Sequence, residues 1–173
     1  MKTMQFISAG SALAWLLTLS APVQAVTVTP PGPGGQPIAF TASGPTVLGK
    51  AGLSLSCETV LTGKISGDGA VTITGASMRG MSLCKAISPV FPAPTNGWTG
   101  DVENAQSLAL DNVSVDVNVP IVGGICGPSN ITASLSNHPD SKEMVITFSN
   151  QLLSGGCSIS GSLTTTPYLN VTN

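Results

Sequence analysis

Charged side chains are scarce in this sequence: Asp, Glu, Lys and Arg make up 8% of its 173 residues, against about 25% in an average soluble protein. The six basic residues are scattered along the chain, so no basic patch is available to neutralise phosphates, which argues against a nucleic-acid partner. The surface must therefore consist largely of Ser, Thr, Asn and Gly. Such surfaces are common in exported β-proteins that assemble or lie at interfaces, and monomeric extracellular β-sandwiches have them as well.

Groups that carry out catalysis are scarce too. The single histidine, His138, lies in the turn-forming sequence Ser136–Asp140, and no serine lies in a Gly-x-Ser-x-Gly elbow. Acidic pairs such as Asp101 with Glu103 would have to converge in a cleft to cleave glycosides, and we interpret them as surface charges. No phosphate loop, dinucleotide fingerprint or metal-ligand cluster occurs. We expect no enzymatic activity and no cofactor, with a hydrolase that uses His138 as the minor alternative.

Long hydrophobic runs are absent except near the N-terminus. There an apolar stretch from Ile7 to Leu19 follows Lys2. A membrane-spanning helix needs about 20 residues, so this stretch is too short to span a membrane. The small residues of Val23-Gln24-Ala25 complete a secretion signal. We predict a signal peptide at residues 1–25 and a protein secreted to the extracellular space, through the periplasm in a Gram-negative cell, with no integral membrane span.

The chain after the signal is one domain long. Residues 26–37 are rich in Pro and Gly and are predicted to form an extended N-terminal arm. Residues 38–173 are predicted to form a single all-β domain, because no segment shows a helical period and short strand patterns alternate with Gly, Pro and Asn turns. This organisation favours an antiparallel β-sandwich or barrel.

Period-two alternation identifies the individual strands. Leu53–Leu61 alternates apolar with polar residues, and the hairpin signal Gly67-Asp68-Gly69 separates it from a second strand at Ala70–Thr74. Val113–Val119 alternates in the same way. Leu108 and Leu110 lie in the opposite phase, so a bulge or a break is expected at Asp111-Asn112.

The C-terminus continues the strand pattern. Cys157–Thr166 is predicted to be a further strand, and Tyr168–Thr172, which follows Pro167, is predicted to be an edge strand.

Four cysteines reveal an internal duplication. In each half of the chain two predicted strands have a cysteine near either end, Cys57 and Cys84 in the first half and Cys126 and Cys157 in the second. Four cysteines allow three pairings. The duplication favours Cys57 with Cys84 and Cys126 with Cys157, each bridge stabilising the fold by roughly 3.5 kcal/mol in the loop-entropy model. Zinc is not expected, since it normally requires closely spaced cysteine pairs.

One segment between the two halves combines prolines with aromatics. Ile87–Trp98 contains Phe91 and Trp98, and a rigid loop that presents aromatic side chains is a candidate apolar contact for a lipid, a hydrocarbon or a protein. In the alternative interpretation both aromatics fill the core.

Eight short motifs occur in order along the mature chain: Thr27–Pro31, Phe40–Gly44, Leu55–Cys57, Leu61–Gly63, Ser82–Cys84, Cys126–Asn130, Ser154–Cys157 and Ser160–Thr165. The set resembles the Pra proteins, small secreted bacterial proteins known from pseudomonads as protein activators of alkane oxidation. The resemblance implies a non-enzymatic protein that helps cells use long-chain alkanes by emulsifying or solubilising the hydrocarbon.

The expected partner is therefore a hydrocarbon or an oil–water interface. The alternative is a structural subunit of an extracellular fibre, matrix or cell-surface assembly. Such a subunit would self-associate through the arm at residues 26–37 or the edge strand near Tyr168.

Overall fold

The computed structural model describes residues 25–173, so all but the last residue of the predicted signal peptide lies outside the described residues. The described chain is almost entirely β, with two short 3₁₀ turns at Pro33–Gly35 and Ser82–Ala86. No helix in this part of the chain is long and apolar enough to cross a membrane. The strands are β1 (Thr27–Thr29), β2 (Ile38–Lys50), β3 (Leu53–Ile65), β4 (Ala70–Gly80), β5 (Ile87–Pro89), β6 (Trp98–Asn104), β7 (Ser107–Val117), β8 (Gly124–His138), β9 (Glu143–Leu153), β10 (Cys157–Thr166) and β11 (Asn170–Thr172).

Eight of the strands form a closed antiparallel barrel. Their order around the wall is β7-β6-β4-β3-β2-β10-β9-β8, and β8 pairs with β7 to close the circle. Because β8 pairs with β7, each of the eight strands has a partner on both sides along at least part of its length. The predicted all-β antiparallel architecture is confirmed, and of the two forms considered the barrel is the one adopted.

The predicted hairpin is formed by β3 and β4, and its turn is held by side-chain chemistry. The Ala70 N–H donates to the Ser66 hydroxyl oxygen at 3.0 Å, and that hydroxyl donates to the Asp68 carboxylate. The hydrogen bond from Ser66, followed by those from the backbone N–H groups of Asp68 and Ala70, holds the pKa of the Asp68 carboxyl below its ordinary value.

The predicted irregularity in β7 is a bulge. The register with β8 shifts between Leu110 and Val113, and Asn112 adopts a positive φ of 55°, which Asn tolerates better than most residues. The Asn112 N–H donates to the Asn130 side-chain oxygen at 3.2 Å. The bulge returns the valines of β7 to the inner face, so the two opposite phases seen in the sequence belong to one strand.

Both disulfides lie at the same end of the barrel and have the predicted pairing. Cys57–Cys84 and Cys126–Cys157 each have a Cα–Cα distance of 5.7 Å, within the usual range. We define the disulfide end as residues 50–53, 79–86, 117–126 and 152–157, which comprise the connections at this end of the barrel and the strand residues that adjoin them. The two halves are therefore fastened at one end of the molecule.

A two-stranded ribbon of β1 and β11 covers the opposite end. Val28, Leu169 and Val171 are buried beneath it. The Val28 N–H donates to the Gly67 carbonyl oxygen at 2.9 Å, and the Asn137 side-chain amide donates to the Val171 carbonyl oxygen at 3.0 Å. Part of the segment predicted to be an extended arm thus pairs with the predicted C-terminal edge strand and caps the barrel.

The barrel interior is filled by side chains. Two apolar cavities among the described core side chains have volumes of about 30 and 20 Å³, whereas small-molecule sites typically measure about 300–1,000 Å³. A buried hydrogen bond of 2.6 Å between the Thr46 and Thr59 hydroxyls satisfies two polar groups of this core. The described interior is a packed core with no room for a hydrocarbon chain.

Candidate functional site

The two aromatic side chains singled out in the sequence pack against each other at the barrel wall. Their ring centroids are 5.1 Å apart. Trp98 is 3% exposed and Phe91 is partly buried against the core, and the Trp98 indole N–H donates to the Val90 carbonyl oxygen at 3.0 Å. Trp98 therefore fills the core, as in the alternative interpretation, and is not available for a surface contact in this fold.

The Pro-rich segment that carries Phe91 has a structural role in closing the wall. β6 pairs with β4 only between Ala70 and Ile73, and residues 87–97 run along the barrel beyond that point, with β5 paired to β7. The Val90 N–H continues this pairing by donating to the Ser114 carbonyl oxygen at 2.9 Å. The aromatics fill the space where β6 is too short to complete the barrel.

Exposed apolar side chains are concentrated elsewhere, at the disulfide end. Residues 25–173 contain six exposed large hydrophobic residues, and four of these lie there: Met81, Ile121, Ile125 and Leu152. A fifth, Val47, lies on β2, and the sixth, Val90, lies in the segment 87–97 that runs along the barrel wall. Neighbouring exposed apolar side chains at one end of a protein are typical of an interaction surface.

Ile121 is the most prominent of these residues. Its side chain is 104% exposed and its φ is 76°, a conformation that is uncommon for a β-branched residue and carries strain. Two contacts hold its loop against the barrel: the Lys50 Nζ donates to the Gly124 carbonyl oxygen at 2.7 Å, and the Asn118 N–H donates to the Ala86 carbonyl oxygen at 2.8 Å. The loop thus presents an apolar side chain at the extremity of the molecule.

Sequence reasoning missed this surface because it looked for aromatics. One local signal was present: Ile121-Val122 stands between Pro120 and Gly123-Gly124, an apolar pair within a turn sequence where polar residues are usual.

Charge is concentrated at the opposite end of the barrel. Five carboxylates and two lysines lie there, giving a formal charge of −3: Asp68, Asp101, Glu103, Asp140, Glu143, Lys64 and Lys142. We call this set the acidic end. The disulfide end carries the cations Lys50, Arg79 and Lys85. The barrel therefore has an acidic end with seven charged side chains and an opposite end that combines three cations with most of the exposed large apolar side chains.

The single histidine lies at the acidic end. In its turn, the Ser141 hydroxyl donates to the main-chain oxygen of His138 at 3.4 Å and to the Glu143 carboxylate at 3.0 Å. The first of these contacts uses the main-chain oxygen of His138, and neither involves its imidazole. Among the described residues no group of three His, Cys, Asp or Glu side chains is arranged to hold a metal ion.

These features define a class: a small disulfide-linked β-barrel protein with a filled interior, whose candidate functional site is an external apolar surface. The family model for alkane oxidation protein activators of the PraA/PraB-like type matches residues 1–173, and the chain belongs to this family. The resemblance seen in the sequence is thereby confirmed, and membership supports a role in alkane utilisation. No curated protein matches the chain. No solved structure matches it either. Two disulfides fit an extracellular or periplasmic protein.

Proposed function

We propose that this protein is a secreted, non-enzymatic factor that promotes alkane utilisation by emulsifying hydrocarbon. In this proposal the disulfide end adsorbs to the hydrocarbon and the acidic end remains in water. The observation that carries it is the placement of four of the six exposed large hydrophobic residues at the end that lies opposite the main charge cluster.

Transfer of apolar surface out of water supplies the driving force. Full burial of an isoleucine or leucine side chain contributes about 1.5–3 kcal/mol. Ile121, Ile125 and Leu152 are 104%, 55% and 71% exposed. At about 25 cal/mol per Å² of apolar surface removed from water, their transfer to hydrocarbon contributes a favourable free energy of several kcal/mol in total. That is enough to favour one orientation of the barrel at an interface.

The filled interior argues for adsorption over transport of a hydrocarbon inside the barrel. With enclosed cavities of about 30 and 20 Å³, the folded barrel has no internal volume for a long alkyl chain. Contact with the hydrocarbon would have to be external. One protein molecule would then cover a patch of interface and would not carry a bound hydrocarbon.

The fibre alternative is less well supported by the same contacts. It would use the arm at residues 26–37 or the strand near Tyr168 to pair with a neighbouring copy. β1 and β11 already pair with each other, Thr27 opposite Thr172 and Thr29 opposite Asn170. An exchange between copies would have to open this ribbon first.

The proposal is tested by the interfacial tension between hexadecane and water in the presence of oxidised mature protein. We expect a larger drop than an ordinary secreted β-domain of similar size produces, together with a stable emulsion. The double variant Ile121→Ser/Leu152→Ser should lose most of this excess, since it removes exposed apolar surface without touching the core.

Val90→Ser is the matched control, because Val90 is an exposed apolar residue on the wall and not at the disulfide end. It should leave the tension unchanged. A drop no larger than that of the ordinary β-domain, or equal losses in the Val90 and Ile121/Leu152 variants, would contradict the proposed mechanism.

A further inference from the structure

The two disulfides differ in what surrounds their sulfur atoms. The Lys50 ammonium contacts the Cys126 Sγ, with a distance of 3.7 Å between nitrogen and sulfur. The Cys84 Sγ instead lies 3.4 Å from the Ser56 carbonyl oxygen. A cation therefore faces a sulfur of one bridge, whereas the partial negative charge of a carbonyl oxygen faces a sulfur of the other.

The same asymmetry exists within the Cys126–Cys157 bridge and decides which of its sulfurs can carry a negative charge. The Cys157 Sγ lies 3.6 Å from the Gly155 carbonyl oxygen, which opposes a thiolate there. An ammonium beside a thiolate stabilises it, so Cys126 is the favoured site of the charge. Lys50 is held on this side of the bridge, because its Nζ donates to the carbonyl oxygen of Gly124, on the same strand as Cys126, at 2.7 Å.

The packing around the two sulfurs favours attack at Cys157. All four cysteines are at most 5% exposed, so a thiol reaches either bridge only after a local opening of the structure. Cys157 directly follows Gly156, where an added Cβ would meet no atom within 4 Å. Cys126 directly precedes Gly127, where an added Cβ would lie 2.2 Å from the Val113 carbonyl oxygen. An open turn thus adjoins one sulfur, and a tightly packed contact between β7 and β8 adjoins the other.

We propose that the Cys126–Cys157 bridge is a site of thiol–disulfide exchange with dithiol reductants in the folded protein. A thiolate of the reductant attacks the Cys157 Sγ, and the bond between the two protein sulfurs breaks. Its electron pair leaves on Cys126, beside the Lys50 ammonium, and a mixed disulfide joins Cys157 to the reductant.

The second thiol of the reductant completes the reaction. As a thiolate it attacks the reductant's own sulfur in the mixed disulfide and releases Cys157. The reductant is thereby oxidised to a disulfide, and the two cysteine thiolates take protons from water to become thiols. The inference stands apart from the emulsification proposal, since this reaction needs no hydrocarbon.

The test is exposure of the folded, oxidised mature protein to 2-mercaptoethanol, an uncharged monothiol whose product at short times is the mixed disulfide. Alkylation with iodoacetamide, followed by peptide mapping, identifies the group on each sulfur. We expect mercaptoethanol on Cys157 and the alkyl group on Cys126. This bridge should open at least about threefold faster than Cys57–Cys84, because the better stabilised thiolate leaves faster.

Lys50→Gln should lower the ratio of the two opening rates by about threefold to tenfold. The ratio is the readout because a general loss of stability would speed the opening of both bridges together. Lys50→Arg keeps the cation and should keep most of the ratio. Lys64→Gln is the matched control, since it removes the same charge at the acidic end, and it should leave the ratio unchanged.

Four results would overturn the proposal: mercaptoethanol on Cys126, faster opening of Cys57–Cys84, equal ratios in Lys50→Gln and Lys64→Gln, or no reaction at either bridge without denaturant. Dithiothreitol provides the last comparison. This dithiol should reduce Cys126–Cys157 to two thiols while Cys57–Cys84 is still intact. Reduction of both bridges at one rate would mean that global unfolding, and not the charge of Lys50, controls the exchange.

Discussion

At the scale of single residues, Gly127 is a position where the neighbouring main chain leaves no space for a side chain. Gly127 has a φ of 98°, and an added Cβ would lie 2.2 Å from the Val113 carbonyl oxygen and 2.8 Å from the Ser114 Cα. Since both are main-chain atoms, a rotamer change cannot relieve the clash. Gly127→Ala should therefore lower the free energy of unfolding by about 2 kcal/mol or more, measured by urea denaturation.

The control is Gly67→Ala, at a glycine whose added Cβ would meet no atom within 4 Å. It should change the unfolding free energy by less than about 1 kcal/mol. Similar denaturation midpoints for the two variants would show that the β7–β8 contact can relax, contrary to the geometry.

Residue type alone did not locate the candidate surface. Phe91 and Trp98 were predicted to be apolar contacts because aromatics are rare in this chain, yet Trp98 is buried. Ile121 and Leu152 form the exposed surface instead. Exposure depends on which strands pair around a residue, and this information is distributed over distant parts of the sequence.

At the scale of elements, the β1–β11 ribbon contributes to stability as a cap. Val28 is buried and Thr27, its neighbour on the same strand, is exposed. Val28→Ala should lower the free energy of unfolding by about 1–3 kcal/mol, because it removes buried methyl groups beneath the ribbon. Thr27→Ala should change it by less than about 0.5 kcal/mol. Thermal unfolding of both variants measures the difference, and equal melting temperatures would contradict a packed cap.

Elements defined by local patterns were predictable, and long-range pairings were not. The β3–β4 hairpin needs only period-two alternation and the turn around Asp68, and the bulge at Asn112 is visible as a change of phase. The cap, in contrast, joins Thr29 to Asn170, and the pairing of β7 with β8 closes the wall. The local sequences of these strands do not specify their partners, so both pairings depend on the three-dimensional fit of the whole barrel.

At the scale of the whole molecule, both disulfides lie at one end and so fix the segments that carry the exposed apolar residues. Cys84 lies three residues from Met81, and Cys126 follows Ile125 directly. The cysteine pairing was predictable from the repeat. The coincidence of both bridges with the apolar end was not, because it depends on the direction in which each half runs through the barrel.

The charge of the acidic end leads to a separate prediction, which concerns the stability of the droplets and not adsorption. If the disulfide end faces the hydrocarbon, the formal charge of −3 faces water and repels neighbouring droplets. Neutralising three of its carboxylates should leave interfacial tension unchanged and speed coalescence several-fold at an ionic strength of about 0.01 M, where the Debye length is about 30 Å. The variant is Asp101→Asn/Glu103→Gln/Asp140→Asn.

A control with the same net charge separates orientation from total charge. It neutralises the three carboxylates that lie outside the acidic end, two of them opposite the disulfide-end residues Arg79 and Ile125: Glu58→Gln/Asp111→Asn/Asp116→Asn. Because those groups lie beside the interface and not at the end that faces water, their loss should affect coalescence much less, and at about 0.15 M salt, where the Debye length is about 8 Å, the two variants should converge. Equal coalescence rates at low salt would mean that net charge alone stabilises the droplets and that the barrel has no preferred orientation at the interface.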